Sequence, residues 1–225
     1  MIPRIFIASI LFLLVSSCST TKSNKDTKIV EQRPGVKCTE NSPERRGEEG
    51  CTILANRPLS GAPLNKVYWH IDRYDSLETA RKAAGPNGLA AEAHGFFWLM
   101  TVEMKGEDHH GGHHVVWIGP VDLPIKESYS MRILSSLLMP GSNTPIHTHA
   151  GPEFFYIVDG EQCIETPELA RHLNAGQSYV VPGGTVHRGR VLGSSPRRAL
   201  ALNLYNTTFP VSQDLENSPP LASCK

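Results

Sequence analysis

His147, His149, Glu153 and His187 are the side chains of this sequence whose types and spacing suit the capture of a single metal ion. They fall in two blocks. The first runs Gly141, five residues, His147-Thr148-His149, three residues, Glu153, six residues, Gly160; the second runs Gly176, five residues, Pro182-Gly183-Gly184, two residues, His187. Side chains alternate faces along a strand, so His147 and His149 project from the same side of an extended segment. Three imidazole nitrogens and one carboxylate oxygen suit one divalent transition metal (Fe, Mn, Ni, Cu or Zn) better than magnesium or calcium. Four protein ligands leave an octahedral ion two open positions, and the carboxylate leaves one net positive charge, so anionic oxygen ligands are expected there.

Short strands must position these groups. Ala150-Gly151-Pro152 is turn chemistry, and Glu153 opens the apolar run Phe154-Phe155-Tyr156-Ile157-Val158, closed by Asp159-Gly160. Stretches 131–139, 154–158, 162–166, 178–181, 185–191 and 199–205 read as strands at regular spacing, separated by Gly, Pro, Asn or Asp, and Pro182-Gly183-Gly184 begins the strand expected to carry His187. That is an all-β rhythm. Phe155 and Ile157 share strand parity with Glu153 and are expected to line an apolar pocket beside it.

The two blocks resemble the paired motifs of the cupin superfamily: Gly141, His147, His149, Glu153 and Gly160 match the first, and Gly176, Pro182, Gly184 and His187 the second. The asparagine that usually closes the second motif is replaced by Val191. The resemblance covers roughly residues 128 to 206. It implies a double-stranded β-helix, the jelly-roll or cupin barrel, with the metal in the barrel mouth. The fold class expected is therefore all-β, with a short N-terminal α/β elaboration.

The resemblance extends to candidate activities. One is a metal-dependent dioxygenase acting on a small enol, phenol or diketone-type substrate, with His147, His149 and His187 holding the ion and Glu153 either ligating it or serving as catalytic base. A second is non-redox chemistry, an isomerase or decarboxylase in which the ion polarises a carbonyl. A third is a non-catalytic protein that binds metal or a small ligand, since no acid, base or nucleophile pair stands out beyond the ligands.

The ends of the chain speak to location. Met1 to Val15 carries one cation, Arg4, followed by eleven mostly apolar residues, too few to span a bilayer as a helix. Cys18 follows Val15-Ser16-Ser17, which resembles the lipobox of bacterial lipoproteins. Residues 1–17 are thus read as a lipoprotein signal peptide and Cys18 as the lipid-modified first residue; Ser19 beside it points, by analogy, to the outer membrane facing the periplasm. Residues 18–63 are polar and rich in Pro, Gly and charge, and read as a flexible tether. The remaining bounds are 64–125 for an elaboration packed on the barrel, 126–210 for the barrel and 211–225 for a C-terminal tail.

Four further cysteines, Cys38, Cys51, Cys163 and Cys224, form an even set suited to an oxidising compartment. Cys38 with Cys51 is the most economical pairing; Cys163 is either a buried small hydrophobe or within reach of Cys224. The 22 basic and 22 acidic residues balance, with no basic tract, so nucleic-acid binding has no support. The partners expected are a small-molecule substrate or ligand, the membrane through the anchor, and a second copy in a homodimer.

In the elaboration, Val67 to Asp72 reads as a strand, Asp75-Ser76-Leu77-Glu78 resembles a capping box opening a helix over 77–84, and 96–104 and 114–118 read as two more strands. Between the last two lies Glu107-Asp108-His109-His110-Gly111-Gly112-His113-His114, read as a solvated hairpin loop, with transient capture of zinc, copper or nickel as the alternative. His70, His94 and His172 are isolated and read as structural or surface histidines.

Overall fold

The computed structural model describes residues 36–40, 48–60, 66–104, 111–124 and 128–224. The signal peptide, Cys18, and His109 and His110 of the histidine-rich loop lie outside them. In chain order the elements are β1 (Cys38–Glu40), β2 (Gly50–Pro58), β3 (Val67–Tyr74), α1 (Leu77–Ala83), β4 (Gly88–Ala93), β5 (Phe96–Glu103), β6 (His113–Val121) and β7 (Tyr129–Leu138). There follow β8 (His147–His149), β9 (Glu153–Asp159), β10 (Glu161–Glu165), β11 (Ala170–Asn174), β12 (Ser178–Val181), β13 (Arg188–Leu192), β14 (Arg197–Asn206) and β15 (Ser212–Asp214). Among the described residues no helix is long and apolar enough to cross a membrane.

One six-stranded sheet, ordered β1-β2-β7-β14-β9-β12, organises everything else. Its central strands alternate cleanly. Met131 and Ile133 on β7, Leu200, Leu202 and Leu204 on β14, and Phe154 and Tyr156 on β9 face one way, onto Trp69, Ile71, Trp98 and Met100 of the four-stranded sheet β4-β5-β3-β6. The elaboration is therefore extra sheet packed on the barrel. Trp69, Trp98, Phe154, Ile133 and Leu202 are each at most 1% exposed, and each such side chain contributes about 1.5–3 kcal/mol of burial.

The opposite face of the same strands looks into the barrel, closed by the small sheets β11-β10-β13 and β15-β8. This all-β jelly roll is the fold class that the residues imply. Ile157, Ile164, Leu173, Val181 and Ala199 fill one part of its interior. Ile157 is buried in that cluster, whereas Phe155 borders the cavity beside Glu153, so only one of the two expected pocket residues takes that place. Parity put both on the barrel face; depth along the strand separates them.

The tether reading is corrected in part. Nine of its residues, Gly50–Pro58, form β2, paired antiparallel with β7, and Cys38–Glu40 pairs parallel with β2. The Cys38–Cys51 disulfide locks that parallel pair at its first register position. β2 escapes the alternation rule because its register with β7 shifts between Ile53 and Ala55. β4 and β11 had no counterpart among the expected strands. The helix expectation holds with a shifted cap: Ser76 is the N-cap and its hydroxyl accepts from the Thr79 N–H at 3.1 Å.

The stretch read as a tail is built into the barrel. β15 pairs with β8, the Ala222 N–H donates to the Thr166 carbonyl, and Cys224 is bonded to Cys163.

Candidate metal centre

The two sequence blocks meet through backbone. His147 and His187 exchange reciprocal N–H to carbonyl bonds, both 3.0 Å, which places their rings on one face with centroids 4.3 Å apart. His187 stands in this isolated bridge, and the strand expected to carry it begins one residue later, at Arg188. The second block's turn is tied to the first as well. Gly184, at φ +75, donates its N–H to the His149 carbonyl at 2.9 Å, a left-handed conformation that a side chain would resist.

His147, His149, Glu153 and His187 are all buried, and one ligand atom from each lies within 4.8 Å of the others. The Nε2 atoms of His147 and His149 are 3.1 Å apart, and Glu153 Oε2 lies 2.9 Å from His187 Nε2 and 3.3 Å from His149 Nε2. All four residues come together as their spacing suggested.

Each ring is held from behind. His147 Nδ1 donates to the Pro145 carbonyl at 2.8 Å, His149 Nδ1 to the Val211 carbonyl at 2.8 Å, and His187 Nδ1 to the Thr185 carbonyl at 2.9 Å. A carbonyl only accepts, so each Nδ1 carries hydrogen, and in the neutral ring each Nε2 turns its lone pair inward. This is how metal-ligating histidines are oriented. The donor set therefore fits a borderline divalent ion.

Electrostatics point the same way. Burial, reinforced by His187, lowers the His147 pKa to about 4, so this ring is neutral at ordinary pH. Burial opposes charge on His149 too, but Glu153 outweighs it and the pKa is raised. Burial would raise Glu153, yet His149 and His187 hold its carboxyl well below the usual range. The cluster thus sets an ionised carboxylate beside a neutral His147 ring.

Glu153 and the three histidines line one wall of a cavity of about 440 Å³. Arg132, Gln162, Arg197 and Asn203 also line it, and the sequence reading passed over them. A signal was there: Asn203 interrupts the apolar run Ala199-Leu200-Ala201-Leu202 on the barrel-facing parity. Val191, in the position usually held by asparagine, is buried in β13.

Residues 135–203 match the family model described as a cupin domain. The match spans just under a third of the 225-residue chain and holds all four candidate ligands. The comparison with curated proteins gave no match. Among solved structures, a cupin-like protein from Thermotoga maritima aligns at 17% identity and TM-score 0.35, covering 38% of this chain and 64% of its own. The DMSP lyase DddQ from Ruegeria pomeroyi aligns at 22% identity and TM-score 0.35, over 39% of this chain and 45% of that one. A recombinant oxalate oxidase in complex with glycolate aligns at 21% identity and TM-score 0.33, over 38% and 45%. The chain thus spans less than two thirds of each of these proteins.

The other expected features are placed as follows. Cys38 and Cys51 are disulfide-bonded, as are Cys163 and Cys224. His114 Nδ1 lies 2.9 Å from Asp72 Oδ1 and its ring packs on Trp117 at 4.3 Å, an anchored position rather than a solvated loop. His94 contacts the Ala199 carbonyl and Ser135 Oγ, His172 contacts Glu161, and His70 is buried in β3, so the three isolated histidines are structural or surface groups.

Proposed function

We propose that this chain is a metal-dependent oxygenase built on a cupin barrel, acting on a small substrate that offers an anionic enol, phenol or diketone oxygen. The observation that carries the reading is the inward convergence of three Nε2 atoms and one ionised carboxylate, each ring anchored through Nδ1, at the wall of a cavity. His147, His149, Glu153 and His187 would hold a redox-active divalent metal, which would supply Lewis acidity and redox chemistry at the site. The chain's own part is to fix the ligands, to keep Glu153 ionised as the fourth, and to surround the substrate with the cavity walls. Purified protein loaded with Fe, Mn, Ni or Cu is expected to consume oxygen with a phenolic or diketone substrate, in proportion to metal content. Silence across a broad panel with metal bound would discard it.

A second reading, stoichiometric binding without turnover, has one observation in its favour. Besides the four ligands, the titratable groups among the described residues lining the cavity are Lys37, Arg132, Arg197 and Asp214, and Lys37 is paired with Asp214 at 2.6 Å. None is a ready general base. Anaerobic turnover with zinc or manganese would point instead to isomerase or decarboxylase chemistry.

The cell envelope is the proposed location, with lipid on Cys18. The lipobox-like sequence supports it, and two disulfides fit an oxidising compartment. Mass spectrometry of the mature N-terminus, with Cys18→Ser as control, tests it.

A further inference from the structure

Beside the ligands, the same cavity is lined by side chains with buried polar atoms that lack a hydrogen-bond partner among the described residues. Asn203 is fully buried, and neither its amide oxygen nor its amide nitrogen has a hydrogen-bond partner among the described residues. The same is true of Gln162 Oε1, on a side chain 1% exposed, and of the Nε atoms of Arg132 and Arg197. Buried donors and acceptors are normally satisfied, and when several face one cavity a ligand is the natural partner.

Strand register arranges them in bands. Across β7, β14 and β9, Arg132 is opposite Asn203 and Asn203 opposite Glu153, which makes one polar row beside the metal centre. The next row on that face is Leu134, Ala201 and Phe155, all carbon. Beyond it comes Ser136, whose hydroxyl accepts from Arg197 Nη1. Successive rows are about 7 Å apart. Two guanidiniums thus stand at either side of an apolar band.

We propose that this cavity receives a small dicarboxylate, with one carboxylate on Arg132 and Asn203 next to the metal centre, the carbon chain over Leu134, Ala201 and Phe155, and the other carboxylate on Arg197. The inference narrows the substrate of the oxygenase reading to one that carries two carboxylates besides its enol, phenol or diketone oxygen, and rests on that reading for the cavity's role as a substrate pocket. Arginine pairs with carboxylates through a planar fork and keeps its charge when buried. Burial, partly offset by Glu153, lowers Arg197 only to about 10, so it stays a cation at neutral pH. Inorganic phosphate would engage one guanidinium and leave the carbon band wet. A monocarboxylate would leave the second cation alone in the barrel.

Isothermal titration calorimetry on the full chain, metal-loaded and metal-stripped, tests this with glutarate and adipate against pentanoate, dimethyl glutarate and inorganic phosphate. The expected result is dicarboxylate binding about tenfold or more tighter than pentanoate, with Arg132→Met and Asn203→Leu each weakening it about tenfold, the loss from deleting a charge-assisted contact. Circular dichroism verifies that both variants fold. Dicarboxylates binding no better than pentanoate or phosphate, or both folded variants keeping wild-type affinity, would overturn the inference. Elemental analysis of the same samples separates it from the metal reading. Selective dicarboxylate binding without metal uptake sinks only the oxygenase, whereas metal uptake without selectivity sinks only the dicarboxylate.

Discussion

The Nε2 atoms of His147 and His149 face each other at 3.1 Å while each ring's Nδ1 donates to a backbone carbonyl, of Pro145 and Val211 respectively. Two inward lone pairs at that distance repel unless a proton or a metal stands between them. Each ring is held there by its bond to a backbone carbonyl, so turning either ring away would break that bond. A divalent ion bound there would relieve the repulsion and tie β8 to the bridge residue His187. Metal should therefore stabilise the native state by mass action, about 2.7 kcal/mol at a hundredfold excess over its dissociation constant. Replacing His147 and His187 together with alanine should reduce metal content from about one ion per chain to less than about 0.1, and abolish the metal-dependent rise in Tm. Inductively coupled plasma mass spectrometry and calorimetry read both, and unchanged metal content would refute the assignment.

Glu165 gives a pH signature away from the metal. It is fully buried, and Arg188 Nε and Arg190 Nε each donate to it at 3.0 Å, joined by Ser223 Oγ. Burial alone would raise its pKa, but the two guanidiniums win and lower it. A carboxyl whose folded pKa is depressed contributes stability above the unfolded value, and loses it as pH falls through the folded one. Glu165→Gln should cost about 2 kcal/mol at pH 7, the worth of hydrogen bonds to a charged group. The gap in Tm between wild type and variant should close as pH falls below about 4, near the unfolded carboxyl value. A gap that stays constant to pH 3 would show that charge at Glu165 contributes nothing.

The legible parts of this chain were those in which chemistry and backbone geometry demand the same residues. His147, His149, Glu153 and His187 were legible because metal ligation restricts residue type, and Gly160 and Gly184 because their φ values, +77 and +75, restrict it too. Strands β9, β12 and β14 announced themselves as apolar runs between turn residues. The strand β2 did not, because a register shift and a disulfide, rather than clean alternation, hold it on the sheet. Arg132, Gln162 and Asn203 stayed hidden for a different reason. A polar residue in a strand reads as solvent-facing, and only the second sheet, closing over that face, turns it into the lining of a cavity.

Gly151 sets the approach of the loop that joins His149 to Glu153. A Cβ there would stand 1.9 Å from the Leu204 carbonyl oxygen, and Gly183 also packs close, its own ideal Cβ 2.8 Å from the Gly151 Cα. The atoms such a Cβ would meet are backbone atoms of Leu204 and Tyr205, so no rotamer change relieves the clash. Gly151→Ala must push the loop outward, and Glu153 with it. The expected cost is about 2 kcal/mol or more of stability, together with a loss of metal affinity. Equilibrium urea unfolding and a cobalt titration measure the two; wild-type affinity in the variant would mean that the loop does not position Glu153.

The Cys163–Cys224 disulfide closes a sequence separation of 61 residues and so should stabilise the barrel by about 4 kcal/mol through the unfolded chain. Cys163→Ser with Cys224→Ser is expected to lower Tm by roughly 10 °C. Metal content should survive, because the segment bearing the Val211 carbonyl is pinned independently. β15 pairs with β8, and the Leu215 N–H donates to the Ile146 carbonyl at 2.9 Å, nine residues before Cys224. Thermal unfolding with and without dithiothreitol, followed by elemental analysis, separates the two contributions. If reduction releases the metal as well, the tail rather than β15 holds His149 in place, and the anchoring of its Nδ1 would have to be traced to the disulfide.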